Sequence, residues 1–204
     1  QKIGARAVIL CTGTFLEGKI FIGEYSADEG RLGESAAMGL GDNLRKHGFP
    51  MGRLKTGTPA RIDASTVNFD VLERQDGERP RPFSFDTDEP WLDSRPRLPC
   101  YITWTSDTTH AIIKNNIHRG ALYGGKIVGI GPRYCPSVED KVVRFPDRER
   151  HHIFVEPEGE YTNELYLNGF SSSLPEDVQA QALATLPGFE KAKMVRPAYA
   201  VEYD

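Results

Sequence analysis

A short apolar run near the beginning of the chain constrains the fold more than any other feature. Residues 5–11 are almost continuously apolar, and the run ends at the turn-forming sequence Thr12-Gly13-Thr14. A run of this length without alternation predicts a strand buried on both faces, as in a parallel sheet covered by helices. Open sheets of that kind bind ligands beyond the carboxyl ends of their strands, which makes the Thr12-Gly13-Thr14 turn a candidate ligand site.

Caps, periodicity and chain breakers predict the other elements. A helix is predicted over 35–47 with Ser35 as its N-cap, and two more are predicted after Ser106 and from Pro175. Segment 53–61 is interpreted as a basic, turn-rich loop, and 73–99 as an extended surface excursion because its prolines exclude regular helix. Strands are predicted at 100–105, 126–130, 142–145, 152–156 and 161–169.

Composition excludes several classes of protein. The 204 residues suffice for one domain, or for one domain carrying an insert, and no apolar run approaches the ~18 residues of a membrane span. The three cysteines form no Cys-x-x-Cys pair, which argues against a disulfide framework or metal site and favours a reducing compartment. The net charge of −4 gives no electrostatic reason to expect nucleic acid. Because the chain begins Gln1-Lys2-Ile3, we expect an excised piece whose charge need not equal that of the whole protein.

Three apparent motifs have ordinary structural interpretations. Residues 120–126 match the first seven positions of a P-loop, but a predicted helix precedes them and a strand follows, which favours a turn. His151 and His152 lack partners at metal-ligand spacing and favour a solvated strand end. His110, Lys114 and His118 share one helix face, which is typical of a wet surface.

Segment 131–141, with the sequence Gly-Pro-Arg-Tyr-Cys-Pro-Ser-Val-Glu-Asp-Lys, carries the strongest chemical signal. Pro132 and Pro136 bracket Cys135 and restrict the backbone where the thiol is presented. Pro136 suits a first helical turn, so Cys135 is predicted at the N-cap, where free N–H groups and nearby Arg133 favour a thiolate. The alternative is an inert, buried cysteine in a proline-rich turn.

This segment and five others resemble the sequence blocks of the GidA/MnmG family, flavoproteins that modify the wobble uridine of tRNA. The resemblance implies an α/β fold, in which a doubly wound, Rossmann-like FAD-binding domain of the glutathione-reductase type is interrupted by an inserted α+β domain. Residues 1–60 and 135–204 would belong to the flavin domain, and 61–134 to the insert. The other blocks are Cys11-Thr-Gly-Thr-Phe-Leu16, Gly52-Arg-Leu-Lys-Thr-Gly-Thr-Pro59, Pro99-Cys-Tyr-Ile-Thr103, Phe154-Val-Glu-Pro-Glu-Gly159 and Val195-Arg-Pro-Ala-Tyr-Ala-Val-Glu-Tyr-Asp204.

The resemblance also implies an activity. A cytoplasmic homodimer would bind FAD, reduce it with NADH and work with the GTPase partner MnmE, while methylenetetrahydrofolate supplies a carbon. The product would carry an aminomethyl or carboxymethylaminomethyl group at C5 of uridine 34 in tRNA. Carbon transfer to C5 is easier after a nucleophile adds at C6, and a thiolate suits that step. Cys135 is the candidate nucleophile, with Arg133 or Lys141 favouring the thiolate or the developing enolate oxygen.

The remaining site assignments follow the same resemblance. The flavin contacts would be Thr12, Gly13, Thr14 and Ala37. Arg53, Lys55 and Thr56 are placed to meet a phosphate of the cofactor or of tRNA, the alternative being a solvated loop. No metal ligands are assigned. The cofactor contacts within the cysteine segment would be Gly131, Pro132, Arg133, Tyr134, Pro136, Ser137, Glu139, Asp140, Lys141 and Arg144.

Two other functions stay open on the sequence alone. The first is that of the related flavoprotein that methylates a T-loop uridine with folate, although the Pro-Arg-Tyr-Cys-Pro-Ser block argues against it. The second is a non-catalytic tRNA-binding or dimerisation module. The Gly-rich phosphate motif and the C-terminal helical region expected of the family are not among these residues, so we expect the isolated chain to be inactive.

Overall fold

A long antiparallel sheet forms the centre of the computed structural model, which describes residues 2–133 and 135–204. Its helices are α1 (Leu40–Lys46), α2 (Glu89–Ser94), α3 (Asp107–Asn116), α4 (Val138–Arg144) and α5 (Glu176–Leu183), with 3₁₀ turns at Ala64–Thr66, Phe69–Val71 and Ile117–Arg119. Its strands are β1 (Lys19–Ile22), β2 (Tyr25–Ala27), β3 (Glu29–Arg31), β4 (Glu34–Ser35), β5 (Leu54–Asp63), β6 (Glu73–Gln75), β7 (Cys100–Trp104), β8 (His152–Pro157), β9 (Glu164–Ser171), β10 (Met194–Arg196) and β11 (Tyr199–Tyr203).

Strand β5 organises the sheet because it pairs with three other strands. The order within the described residues is β2-β1-β11-β5-β9-β8-β7-β6, with β10 also pairing with β5. The first half of β5 pairs with β11, which places Lys55 opposite Glu202, and the second half pairs with β9 and β10. The strand pairings of this sheet are antiparallel. β3 and β4 form a separate two-stranded sheet.

The main core lies between β5, β8 and β9 and the helices α3, α4 and α5. The buried residues of β9 are Leu165, Leu167 and Phe170, which alternate only in the first half of the strand. Helix α3 starts at a capping box, in which the Ser106 hydroxyl accepts from the Thr109 N–H and the Ser106 N–H donates to the Thr109 hydroxyl. The largest fully buried apolar side chains of this core are Ile62, Ile113, Val138, Val142, Ile153, Leu167, Leu174, Leu186 and Phe189.

The buried strand predicted at residues 5–11 is wrong for this structure. The segment has no regular secondary structure, and Val8 and Ile9 are 78% and 85% exposed. A strand needs a neighbouring backbone to satisfy its N–H and C=O groups. No strand of the described residues pairs with this segment, so its apolar side chains have no covering layer.

The helix predicted over 35–47 is confirmed only in its second half. Ser35 belongs to β4, and α1 begins at Leu40 after Gly39, which has a left-handed φ of 89°. A residue in that conformation interrupts a right-handed helix, so the helix cannot extend back to Ser35. Helix α1 therefore has no side-chain N-cap hydrogen bond.

Three other segments differ from their predictions. Segment 53–61 is mostly the strand β5, because pairing with neighbouring strands outweighs the turn preference of Gly57 and Pro59. Residues 142–145, predicted as a strand, lie mainly in α4, whose N-terminus is capped by Ser137. Segment 126–130 makes only an isolated parallel bridge, between Ile130 and Leu54.

The predicted α/β class is confirmed, as a mixture of helices with a largely antiparallel sheet. The predicted domain limits at residues 60 and 134 stay predictions, and β5 runs across the first of them. The surface excursion at 73–99 contains only the short elements β6 and α2, and the helix predicted from Pro175 is confirmed as α5. None of the helices described has the length and apolar character needed to cross a membrane.

Candidate active site

An open cleft of about 530 Å³ lies where the loop after Gly129 passes the first half of β5. The loop is held there by backbone hydrogen bonds, from the Lys55 N–H to the Ile130 carbonyl oxygen at 2.8 Å and from the Ile130 N–H to the Arg53 carbonyl oxygen at 3.4 Å. The volume is within the ~300–1,000 Å³ usual for small-molecule sites. The cleft is lined by Lys55, Leu122, Tyr123, Gly129, Ile130, Gly131, Arg133, Cys135, Pro136, Asp140 and Arg144.

Cys135 is exposed and lines this cleft. The prediction that it is the helix N-cap is wrong, because α4 begins at Val138 and the Ser137 hydroxyl accepts from the Asp140 N–H at 3.3 Å. A hydroxyl is a better acceptor than a thiol, so the cap falls on the serine. Cys135 is exposed, so it is not the buried cysteine of the alternative interpretation.

The backbone around Cys135 is restricted on both sides. At Gly131 a Cβ would lie 2.8 Å from the Arg133 carbonyl oxygen, so only glycine permits this close turn. Pro132 is exposed beside it, and Pro136 is half-buried in the cleft wall. Tyr134, predicted as a cofactor contact, lies outside the described residues.

The cations predicted near the thiol separate into two groups. Arg133 and Arg144 line the cleft. The Lys141 ammonium instead donates to the Gly169 carbonyl oxygen at 2.8 Å, on the side of β9. Burial lowers the pKa of Lys141, an effect that the nearby Cys135 opposes. The structure therefore places Lys141 under the site rather than in the cleft.

Lys55 is the most buried cation of the cleft. The residue is 7% exposed, on the first half of β5. It also lines a narrow crevice with Cys135, Ser137 and Ser171. Among the described residues, no hydrogen bond or ion pair involves its ammonium group.

Glu202, which lies opposite Lys55 in the sheet, holds the loop that forms the cleft. Its Oε1 accepts from the backbone N–H of Val128 at 2.7 Å and from that of Gly129. Its Oε2 lies 3.7 Å from Nε of Arg53. At Gly129 an added Cβ would lie 2.9 Å from the Leu54 carbonyl oxygen, so the approach of loop and strand requires glycine there.

Arg53, predicted to meet phosphate, is engaged within the protein. Its Nη1 donates to the Glu17 carbonyl oxygen at 2.6 Å and to Asp204 Oδ1 at 3.3 Å, and its Nε faces Glu202. The side chain of Asp204 is 2% exposed. These contacts tie Arg53 to the end of β11. Thr56 is half-buried and does not line the cleft.

Another wall of the cleft is formed by Asp140 and Arg144 of α4 together with Tyr123, from the turn at residues 121–125. The Tyr123 hydroxyl donates to Asp140 Oδ1 at 2.9 Å, and Nε of Arg144 lies 3.5 Å from the same oxygen. Burial, together with the hydrogen bond to Asp140, raises the pKa of Tyr123 to about 12, so the phenol stays neutral. Tyr123 is not predicted from the sequence, because its position in a glycine-rich turn carries no chemical signal.

Glu139, predicted as a cofactor contact, is completely buried. Its Oε1 accepts from the Ser173 N–H at 2.8 Å and from the Ser173 hydroxyl at 3.1 Å. Burial raises the pKa of Glu139, and its Oε2 has no hydrogen-bond partner among the described residues. Glu139 thus joins α4 to the turn after β9 and does not face the cleft.

The residues predicted to contact flavin lie together at a turn that does not line the cleft. The Phe15 N–H donates to the Thr12 carbonyl oxygen at 3.0 Å, which closes a turn around Gly13 with a φ of +55°. Ala37 adjoins the turn, since its N–H donates to the Phe15 carbonyl oxygen at 2.8 Å. The Thr14 hydroxyl donates to the Gly30 carbonyl oxygen at 2.7 Å. Open space surrounds the Cα of Gly13, so this turn is accessible to a ligand.

Two histidines predicted at the surface are packed together instead. His110 is 7% exposed, with Nε2 at 2.8 Å from the Thr105 hydroxyl, and its ring lies 5.3 Å from that of His151. Burial lowers the pKa of both histidines. The predicted wet face is wrong at His110, because α3 turns this position towards Thr105. Within the described ranges, no cluster of three or more His, Cys, Asp or Glu side chains could hold a metal ion.

Fold and cleft together define an α/β protein with a cysteine presented beside cationic groups in a ligand-sized cavity. A family model described as "Glucose inhibited division protein A" matches residues 1–204, and the chain belongs to that family.

Curated relatives and solved structures agree with this assignment. A protein of Treponema pallidum named "tRNA uridine 5-carboxymethylaminomethyl modification enzyme MnmG" is 55% identical over 204 residues, covering 100% of this chain and 32% of the relative. A protein of Chlorobium phaeobacteroides with the same name is 54% identical over 99% of this chain and 32% of its own length. The chain therefore spans about a third of the length of these relatives.

Two crystal forms of Aquifex aeolicus GidA share the fold. The form II structure matches with a TM-score of 0.81 and 47% identity, over 94% of this chain and 31% of that one. The form I structure matches with a TM-score of 0.81 and 53% identity, over 94% and 33%.

Proposed function

We propose that the chain is part of an FAD-dependent enzyme that modifies C5 of the wobble uridine of tRNA, adding an aminomethyl or carboxymethylaminomethyl group. Its family and the names of its relatives support this proposal. The observation that carries it is the exposed Cys135, which lines the same cleft as Arg133 and Lys55.

The proposed chemistry uses Cys135 as a nucleophile towards the uracil ring. A thiolate that adds at C6 converts C5 into an enolate carbon able to accept a one-carbon unit. The prolines at 132 and 136 keep the backbone in place, so the thiol needs little reorganisation to reach the ring.

The cofactor assignments rest on accessible parts of the chain. The turn at Thr12, Gly13 and Thr14, with Ala37 beside it, fits a flavin contact because its backbone is open to a ligand. The cleft segment from Gly131 to Arg144 would contact NADH. FAD and NADH supply the redox chemistry when bound, and methylenetetrahydrofolate supplies the carbon. Pro136, Ser137 and Asp140 are kept as contacts of this segment. Buried Glu139 and half-buried Lys141 instead support it from below.

The partners proposed for the whole enzyme are tRNA, a second copy of the protein and the GTPase MnmE, in the cytoplasm. The net charge of −4 belongs to these 204 residues. Other parts of a longer protein can carry the basic surface that a phosphate backbone requires.

A cysteine exchange in the protein at the full length of its relatives tests the proposal. Cys135→Ser should abolish wobble-uridine modification and leave FAD bound, because a hydroxyl is a far weaker nucleophile at neutral pH. Cys100→Ser is the matched control, since Cys100 is half-buried in β7 and does not line the cleft. Mass spectrometry of tRNA nucleosides from a complemented deletion strain measures the result. Normal modification by Cys135→Ser would refute the role of the thiol, and loss of T-loop 5-methyluridine instead would favour the methyltransferase alternative.

A further inference from the structure

We propose that Lys55 is a catalytic residue of this site, whose ammonium group hydrogen-bonds the C4 carbonyl oxygen of the uracil that Cys135 attacks. The inference rests on the proposed function and adds to it the group that stabilises the developing negative charge. It replaces Lys141 in that role, because the Lys141 ammonium is committed to the Gly169 carbonyl oxygen.

The position of the Lys55 ammonium is the first argument. Lysine commonly packs its carbon stem against the protein and keeps its charged end at a surface, where water or a ligand can reach it. Lys55 is 7% exposed, and its cross-strand neighbour Glu202 already accepts from the N–H groups of Val128 and Gly129. No described acid lies within ion-pair distance of the Lys55 ammonium. A cation in this situation, at the wall of a ligand cleft, is suited to an anionic oxygen of the ligand.

The shared position of Lys55 and Cys135 is the second argument. Both residues line the cleft and also the narrow crevice beside it, where Ser137 and Ser171 provide further hydroxyl groups. An oxygen that becomes negative as the sulfur bonds to carbon must lie a few atoms from that sulfur. Lys55 is placed on a sheet strand, and a preorganised donor of this kind is more effective than one that must be recruited.

The other cations of the cleft are less suited to this role. The Arg144 side chain is 59% exposed and interacts with Asp140 at 3.5 Å. Arg133 is also exposed, on the loop before Cys135. Water and salt screen such exposed charges more than the charge of Lys55, a residue that is only 7% exposed.

The step balances without any other reactant. The Cys135 thiolate forms a bond to C6, the C5–C6 π pair shifts towards C4, and the C4 carbonyl oxygen becomes an enolate oxygen that Lys55 stabilises by donating a hydrogen bond. C5 then takes a proton from solvent. Removal of the original C5 proton and expulsion of the thiolate restore uridine. The net result is exchange of the C5 hydrogen with water, with nothing oxidised or reduced.

This exchange gives a test that does not require turnover of the cofactors. The protein at the full length of its relatives is mixed with tRNA that carries deuterium at C5 of uridine 34, and the loss of deuterium is followed by mass spectrometry. Lys55→Met should slow exchange about 100- to 1,000-fold at saturating tRNA, the usual effect of removing one oxyanion donor. Lys46→Met, an exposed lysine on α1, should leave exchange unchanged. Lys55→Gln gives the same comparison if Lys55→Met does not fold.

The outcomes separate the two proposals. Exchange at the wild-type rate in Lys55→Met would overturn the role of the lysine. A defect that disappears at saturating tRNA, or that equally slows flavin reduction by NADH, would mean that Lys55 binds a phosphate and would also overturn it. Wild-type exchange in Cys135→Ser would refute the thiol addition of the proposed function, whatever Lys55→Met does. Slow exchange in both variants, with normal flavin reduction in Lys55→Met, supports both proposals.

Discussion

The replacement Glu202→Ala tests whether the cleft depends on the carboxylate that holds its loop. Glu202 is 4% exposed and accepts from the backbone N–H groups of Val128 and Gly129. It also faces Arg53, with Oε2 at 3.7 Å from Nε. Each hydrogen bond to a charged acceptor contributes about 1.5–3 kcal/mol, and Arg53 keeps its contact with Asp204 when Glu202 is removed. From the two backbone hydrogen bonds we expect Glu202→Ala to lower the free energy of unfolding by about 3–6 kcal/mol.

Urea unfolding and thermal melting measure this loss. At this chain length, 1 kcal/mol corresponds to a shift of about 2–4 °C, so the melting temperature should fall by about 10 °C. Glu202→Gln keeps one acceptor oxygen and should lose about half as much. Glu24→Ala, at an exposed glutamate, is the matched control and should change stability by less than about 0.5 kcal/mol.

Hydrogen exchange of the amides of Val128 and Gly129 identifies the cause of the loss. Both amides should be protected in the wild-type protein and should exchange freely in Glu202→Ala, because their acceptor has gone. A loss of less than about 1 kcal/mol, with both amides still protected, would refute the reasoning. In that case another group, not Glu202, would be holding the loop.

Two further predictions concern the core and pH. Leu167→Ala should lower the free energy of unfolding by about 2–5 kcal/mol, because Leu167 is completely buried in β9. Urea unfolding measures this loss, and a value below about 1 kcal/mol would contradict the packing described. Burial lowers the pKa of His110 and His151 in the folded protein. The free energy of unfolding should therefore be greatest above the unfolded-state pKa of ~6.5. It should decrease as the pH falls from there towards the folded-state pKa values of the two histidines. His151→Gln should flatten this decrease between about pH 7 and 5, and an unchanged pH dependence would argue against the histidine pair.

Caps, helical periodicity and strand composition in the sequence correctly predict those helices and strands whose formation depends on residues close together in the chain. The Ser106 cap of α3 and the apolar face of α5, with Val178 and Ala182 inward, are confirmed because caps and helical periodicity act within a few residues. The strands β7, β8 and β9 were found for a similar reason, since β-branched and aromatic residues favour a pleated surface.

Elements that depend on distant partners were not predicted. Residues 5–11 have the composition of a buried strand, yet composition cannot say whether another backbone lies beside them. Gly57 and Pro59 suggested turns in a segment that β9 and β11 draw into a strand. Ser137, one position after Pro136, caps α4, so the helix begins after Cys135 and includes residues 142–144.

In the candidate site too, local sequence signals predict some features, whereas others depend on distant strand partners. Strand β5 shows why. The block 52–59 suggested that Arg53, Lys55 and Thr56 reach a phosphate together, as they could on a flexible loop. A strand allows no such freedom, because its side chains alternate between faces. Lys55 and Gly57 line the crevice beside Cys135, whereas Thr56, between them, does not. Arg53, just before the strand, is taken up by acidic side chains of β11 and its end. Alternation along β5 excludes Thr56, and the acidic contacts of Arg53 exclude that residue, so Lys55 alone of the three faces the crevice beside Cys135. One substitution therefore tests its role.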